Sequence, residues 1–172
     1  LLLLSGCRPA WAPLYRHASG SEIGAERTLG RCRTPVSARA VVRREADGTL
    51  RAARVGDARL RCQRGRLRVE VREVARISLS GASDRAPVAL RLGQTVRLMA
   101  VGYDARGGWL SLAGVPLDWE PRGGMEQTAP PACTFGACPA DASAWFRPLQ
   151  AGFGEVYVRY RALTAAALFD VK

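Results

Sequence analysis

Arginine is the residue through which this sequence can do most chemistry. The chain has 172 residues, 26 of them basic against 15 acidic, a formal net charge of +11, and Lys172 is its one lysine. The charge is uneven: residues 8–74 carry 16 arginines against 7 acids, whereas residues 75–172 carry 10 basic against 8 acidic side chains. In the first span, Arg59 and Arg61 alternate with Leu60 and Cys62, and Arg66, Arg68 and Arg72 interleave with Leu67, Val69 and Val71. On two paired strands these five arginines share one face. Like charges facing each other across a sheet repel, and an anion relieves that repulsion: a phosphate, a sulfate, a carboxylated glycan or a lipid headgroup. The same pattern also fits a solvated face in a composition biased toward Arg, Ala, Gly and Pro, as GC-rich coding produces. Nucleic acid is disfavoured, because no stacking aromatics are interleaved with these arginines.

Other chemistry is sparse. The one histidine, His17, lies in a polar N-terminal stretch with no nucleophile motif, and is expected to be a solvated linker residue. Gly107-Gly108 and Gly123-Gly124 lack the strand–loop–helix context and the lysine of a phosphate loop. Cys133 and Cys138 form a single pair with no histidine nearby, short of the four ligands of a structural zinc site. Asp104 and Asp118 lack the carboxylate spacing of a calcium loop. The expectation is a protein that is not an enzyme, with an accessory domain of an envelope enzyme as the remaining alternative, and that has no cofactor and no metal.

The elements that would position the arginines read as strands. Ala58–Cys62 and Leu67–Arg72 alternate with period two around a Gln63-Arg64-Gly65 turn, a hairpin with Leu60, Cys62, Leu67, Val69 and Val71 toward a core. Ile77 and Leu79, then Val96, Leu98 and Ala100, then Val156 and Val158 alternate likewise, separated by turns at Leu92-Gly93-Gln94, Asp104–Gly108 and Gln150-Ala151-Gly152. Several short strands at this spacing argue an all-β sandwich or barrel. The stretch from Glu120 to Ala142 is rich in Pro and Gly and is expected to be a long surface loop. Residues 55–62 echo residues 151–158, and the apolar positions 67, 69 and 71 fall on 163, 165 and 167 at an offset of about 96, one immunoglobulin-domain length. Trp119 and Trp145 are expected in the core, Trp109 at a loop edge, and Trp11 in a tether.

Leu1-Leu2-Leu3-Leu4-Ser5-Gly6-Cys7 is too short an apolar run to span a bilayer, which needs about 20 residues. It resembles the end of a signal-peptide apolar region, and Leu4-Ser5-Gly6-Cys7 resembles the bacterial lipobox. That resemblance implies cleavage before Cys7, a lipid on its sulfur, and a membrane-anchored protein of the cell envelope. Four cysteines then remain, an even number in an exported chain, which reads as two disulfides. Of the three possible connectivities, Cys32–Cys62 and Cys133–Cys138, one in each half, are favoured. The second would contribute about 2 kcal/mol by loop closure.

The second half resembles the group 2 bacterial immunoglobulin-like domains, the modules of invasin- and intimin-type surface proteins. The resemblance rests on an opening strand at Ile77–Ser80 and a Leu92-Gly93-Gln94-Thr95 turn into Val96–Ala100. Tyr103-Asp104-Ala105-Arg106-Gly107, Trp119, a glycine-led strand at Gly152–Val158 and a closing strand at Ala167–Val171 follow, over about 97 residues in all. It implies adhesion, scaffolding or ligand binding through protein or glycan partners. The insertion after Trp119 departs from the family, which has a short turn there. The first half resembles only the close of such a domain, at Asp47–Leu60. The expected organisation is therefore 1–7 signal-peptide end, 8–20 tether, 21–74 a small basic β module, disulfide-tied or a degenerate sandwich, and 76–172 an Ig-like β-sandwich.

Overall fold

The computed structural model describes residues 14–82, 85–129 and 142–172. Cys7, Trp11, Cys133 and Cys138 lie outside the described residues, so the lipobox and the second disulfide do too. The described residues are all-β apart from one helical turn, α1 (Glu26–Leu29), and a 3-10 turn at Val36–Ala38.

The N-terminal half contains β1 (Leu14–Ala18), β2 (Cys32–Arg33), β3 (Val42–Arg44), β4 (Leu50–Ala52), β5 (Gly56–Cys62) and β6 (Gly65–Arg72). The expected hairpin is β5–β6, with Leu60 opposite Leu67 and Ala58 opposite Val69. Its alternation buries Ala58, Leu60, Leu67, Val69 and Val71. Strand β1 pairs parallel to β6 and β2 pairs antiparallel to β5, giving the order β1-β6-β5-β2. A β3–β4 ribbon closes the core from the other side, contributing Val42, Leu50 and Ala52. Residues 8–20, expected as a tether, therefore carry a strand over Leu14–Ala18. The mixed Leu-Tyr-Arg-His-Ala pattern hid it, because β1 is held by partners far away in sequence.

The C-terminal half contains β7 (Arg76–Ser80), β8 (Val88–Leu90), β9 (Val96–Tyr103), β10 (Trp109–Leu110), β11 (Asp118–Arg122), β12 (Met125–Thr128), β13 (Ser143–Pro148), β14 (Gly152–Tyr160) and β15 (Leu163–Val171). One sheet runs β7-β9-β13-β12, with β10 on the same edge of β9 as β13; the other runs β11-β14-β15-β8. These are the ABED and CFG sheets of an immunoglobulin constant-type sandwich, with β8 added parallel to the last strand. Leu98, Phe146, Val156, Ala167 and Phe169 fill one part of the interior, and Ile77, Ala100, Leu112 and Val158 another.

Two local expectations need correction. Phe146, not Trp145, is the buried aromatic of β13, because Ala144, Phe146 and Pro148 share the inward parity. Phe146 is fully enclosed against Trp119, ring centroids 5.5 Å apart, while Trp145 faces outward near Arg97. The stretch expected as a loop carries two strands in its described part, β11 and β12. Pro121 is tolerated because β11 is an edge strand. Gly123 and Gly124, with φ of 64° and 77°, make the tight left-handed turn between the sheets.

The N-terminal order β1-β6-β5-β2 repeats β8-β15-β14-β11 strand for strand, including the one parallel edge. The echo in sequence thus corresponds to equivalent hairpins, β5–β6 and β14–β15, each opening on a positive-φ glycine, Gly56 and Gly152. The N-terminal half is a sandwich with one complete sheet and the other reduced to a ribbon.

Candidate functional site: an arginine surface

The outward parity of β5 and β6 sets Arg59 opposite Arg68 and Arg61 opposite Arg66. On the other edge of β5, Arg33 lies opposite Arg61. The result is a row of three arginines, Arg33–Arg61–Arg66, with the Arg59–Arg68 pair beside it. All five are exposed.

The face is graded in charge. Toward β1, Arg68 meets Glu70 at 2.8 Å, Arg72 meets Asp57 at 2.7 Å, and Arg16 meets Glu70 at 3.4 Å. Arg72, expected with the other four, is half-buried and folds back to donate to the Gly56 and Val71 carbonyls at 3.1 and 3.0 Å. Toward the hairpin turn, Arg33, Arg59, Arg61 and Arg66 have no acidic partner among the described residues.

Strand β2 is only two residues long, and three devices hold it. Cys32 and Cys62 form a disulfide. The Cys32 backbone N–H donates to Glu26. Arg44 donates to the Cys32 carbonyl at 2.7 Å and grips both Glu26 oxygens at 2.7 and 3.1 Å. That fork, more than any other contact, holds the Glu26 carboxyl below the usual carboxylate range and raises Arg44 in turn.

Beside this row lies a cleft of about 940 Å³ walled by Arg31, Arg33, Thr34, Arg39, Arg43 and Arg44, with Gln63 from the hairpin turn. Among the described residues no acid and no aromatic lines it. Sequence reasoning missed it, although a signal was present: residues 27–44 hold six arginines and no acid between Glu26 and Glu45. Arg31, Arg33, Arg39, Arg43 and Arg44 converge there because the Cys32–Cys62 disulfide and the β3–β4 ribbon hold that segment folded back on itself.

His17 is corrected from a solvated linker residue to a buried one, 4% exposed. Its Nδ1 lies 3.0 Å from the buried Ser21 hydroxyl, and its Nε2 has no partner among the described residues. Burial lowers its pKa to about 4. It sits where the halves meet. The free edge of β1 bonds to the second half through Ala18 N–H to Ser111 O and Ser111 N–H to Arg16 O, each 3.0 Å. Arg16 also pairs with Asp104, whose carboxyl is held low chiefly by the Gly108 N–H, then by the Arg106 N–H and Arg16. A neutral, buried histidine with one hydroxyl neighbour is a structural group here. Among the described residues no cluster of three metal-ligating side chains occurs, and no helix is long and apolar enough to cross a membrane.

No protein-family model and no curated protein matches this sequence. Among solved structures, domains 5-6 of the S-layer protein SbsC are similar at 13% identity and a TM-score of 0.39, covering 91% of this chain and 92% of that one. A longer crystal structure of SbsC is similar at 12% identity and a TM-score of 0.40, covering 78% of this chain and 19% of that one. A beta-glycosidase from Bacteroides vulgatus is similar at 13% identity and a TM-score of 0.44, covering 71% of this chain and 18% of that one. This chain thus spans about a fifth of the length of those two longer structures.

Proposed function

We propose that this chain is a non-enzymatic binding module of the bacterial cell envelope whose N-terminal half holds anionic polymers, acidic or phosphorylated glycans, on its arginine surface. The lipobox-like end would tether it through Cys7. The Ig-like half, with its resemblance to group 2 surface modules, would act as the scaffold that presents the basic half.

The observation that carries this reading is the Arg33–Arg61–Arg66 row running into an arginine-walled cleft, in which Arg43 and Arg44 are already paired with Glu45 and Glu26 while Arg31, Arg33 and Arg39 form no salt bridge among the described residues. Two unit charges about 6 Å apart in water repel by roughly 0.7 kcal/mol before salt screening. Elsewhere on the same face the fold supplies Glu70 and Asp57 to neutralise such contacts; at this end it supplies none. Guanidinium groups in this density suit carboxylate, sulfate and phosphate, which they bind bidentately. The absence of aromatics from the cleft lining favours a charged glycan over a stacked nucleic-acid strand.

The test is titration of the full chain with heparin and with polygalacturonate, with neutral dextran as control, at low and high salt. Both polyanions should bind, with affinity falling steeply as salt rises. Replacing Arg33, Arg61 and Arg66 together by Ser should weaken binding by about tenfold or more. The thermal midpoint should hold or rise, because a repulsive row has been removed. No binding at low salt, or undiminished binding by the triple variant, overturns the reading.

A further inference from the structure

The structure contains a second cleft, of about 440 Å³, in the N-terminal half where Arg161 of the second half reaches it. Arg39, Arg43, Arg51 and Arg54 line it from the N-terminal half, with Glu45 as its one acid, and Arg161 reaches it from the second half. Arg39 and Arg43 line both clefts. Arg33 belongs both to the exposed row on the sheet and to the first cleft. The sheet face, the first cleft and the second are therefore contiguous through shared residues.

The charges in the second cleft sort by what already holds them. Arg43 is paired with Glu45 at 2.9 Å. Arg51 donates to the carbonyls of Gly20 and Gly114, 3.2 Å each, and so fastens one half to the other. Arg39, Arg54 and Arg161 have no acidic partner among the described residues. Arg161 is the one described non-glycine residue with positive φ, 55°. A bulky side chain in that region carries a conformational cost of about 1–2 kcal/mol that glycine avoids. The position is the two-residue turn between Tyr160 and Leu163, where the Arg161 guanidinium lies 5.1 Å from the Tyr160 ring centroid. The two halves are fastened to each other, since β1 is bonded to Ser111 and Glu22 N–H donates to Ala113 O at 2.7 Å.

We propose that the anion site is a continuous track spanning both halves, from the Arg33–Arg61–Arg66 row through the first cleft to Arg161, and that it takes an extended linear polyanion and not a single small anion. This inference rests on the polyanion-binding reading above and adds the length of the ligand and a contact from the Ig-like half.

The test uses the full chain, heparin oligosaccharides of graded length, inorganic phosphate, and the variants Arg161→Gly and Arg39→Ser. Glycine accepts φ of 55° without strain, so Arg161→Gly keeps the fold while removing the charge. Wild type should gain affinity with oligosaccharide length up to a plateau. Arg161→Gly should match wild type on the shortest oligosaccharide, and inorganic phosphate should bind both proteins equally and far more weakly than the long chains. The variant should lose roughly tenfold on the longest, with the salt dependence reduced by about one counterion. Arg39→Ser, at the shared wall, should weaken short and long chains alike. Equal binding of long chains by wild type and Arg161→Gly, or affinity independent of length in wild type, overturns the track while leaving polyanion binding standing. Failure of wild type to bind heparin of any length overturns both.

Discussion

Acidification should destabilise this protein through His17 at a pH where the depressed carboxyls of Glu26 and Asp104 remain ionised. In the fold the imidazole is buried and its pKa is lowered from 6.5 to about 4; in the unfolded chain it titrates at the ordinary value. Between these limits the unfolded state binds a proton that the folded state refuses. Stability is therefore full above pH 6.5, falls as pH drops through the window, and loses nothing further from this group below about pH 4. The whole window is worth about 3 kcal/mol, from a shift of roughly 2.5 units at 1.36 kcal/mol each. Of this, about 2 kcal/mol is lost by pH 5. Stopping at pH 5 keeps the measurement clear of Glu26 and Asp104. Their folded values are depressed, so their stabilisation is lost only as pH falls further. The assay is urea unfolding at pH 7.5, 6 and 5, comparing wild type with His17→Gln, which removes the titration and leaves a polar partner for Ser21. Wild type should lose about 2 kcal/mol over that range, and the variant should stay nearly flat. Parallel loss in the two proteins would refute the reasoning.

Two further outcomes follow from the same structure. Cys32 and Cys62 close a loop with a sequence separation of 30, so replacing both by Ala should cost about 3–4 kcal/mol of unfolding free energy in the chain-entropy model. It should also weaken polyanion binding, because Arg31 and Arg33 flank the lost crosslink. Gly123→Ala would set a Cβ 2.3 Å from the Phe153 carbonyl at φ of +64°, whereas Gly107→Ala at φ of +78° meets nothing within 4 Å. Denaturant midpoints should rank Gly123→Ala as costlier by at least about 1 kcal/mol.

What could be read from the sequence is what local alternation dictates. The β5–β6 hairpin was legible because Leu60, Leu67, Val69 and Val71 recur with period two, and the same parity put Arg59, Arg61, Arg66 and Arg68 together outside. Trp145 shows the cost of weighing residue type above parity, since its neighbours Ala144 and Phe146 already named the inward positions. Strand β1 was not legible, because a parallel edge strand is specified by a partner more than fifty residues away and carries no turn signal of its own. The clefts were not legible either. Their walls come from loop 31–44, from β4 and from the β14–β15 turn, and no local pattern encodes that convergence.

The arginine row lies on the half with the smaller core. Its one complete sheet has a buried face set by β5 and β6, but the opposing layer is only the β3–β4 ribbon, three residues a strand. So small a core is marginal by itself. It is supplemented by the Cys32–Cys62 crosslink, by the Arg44–Glu26 fork, and by β1, which bonds to β6 on one edge and to Ser111 of the larger half on the other. A self-repelling row of cations draws on the same small reserve of stability. Through β1 and Arg51 the docked Ig-like half stabilises the fold that keeps those arginines adjacent. An anion bound along the row would add to the folded state what the repulsion removes, so ligand occupancy and integrity of the N-terminal half are thermodynamically linked.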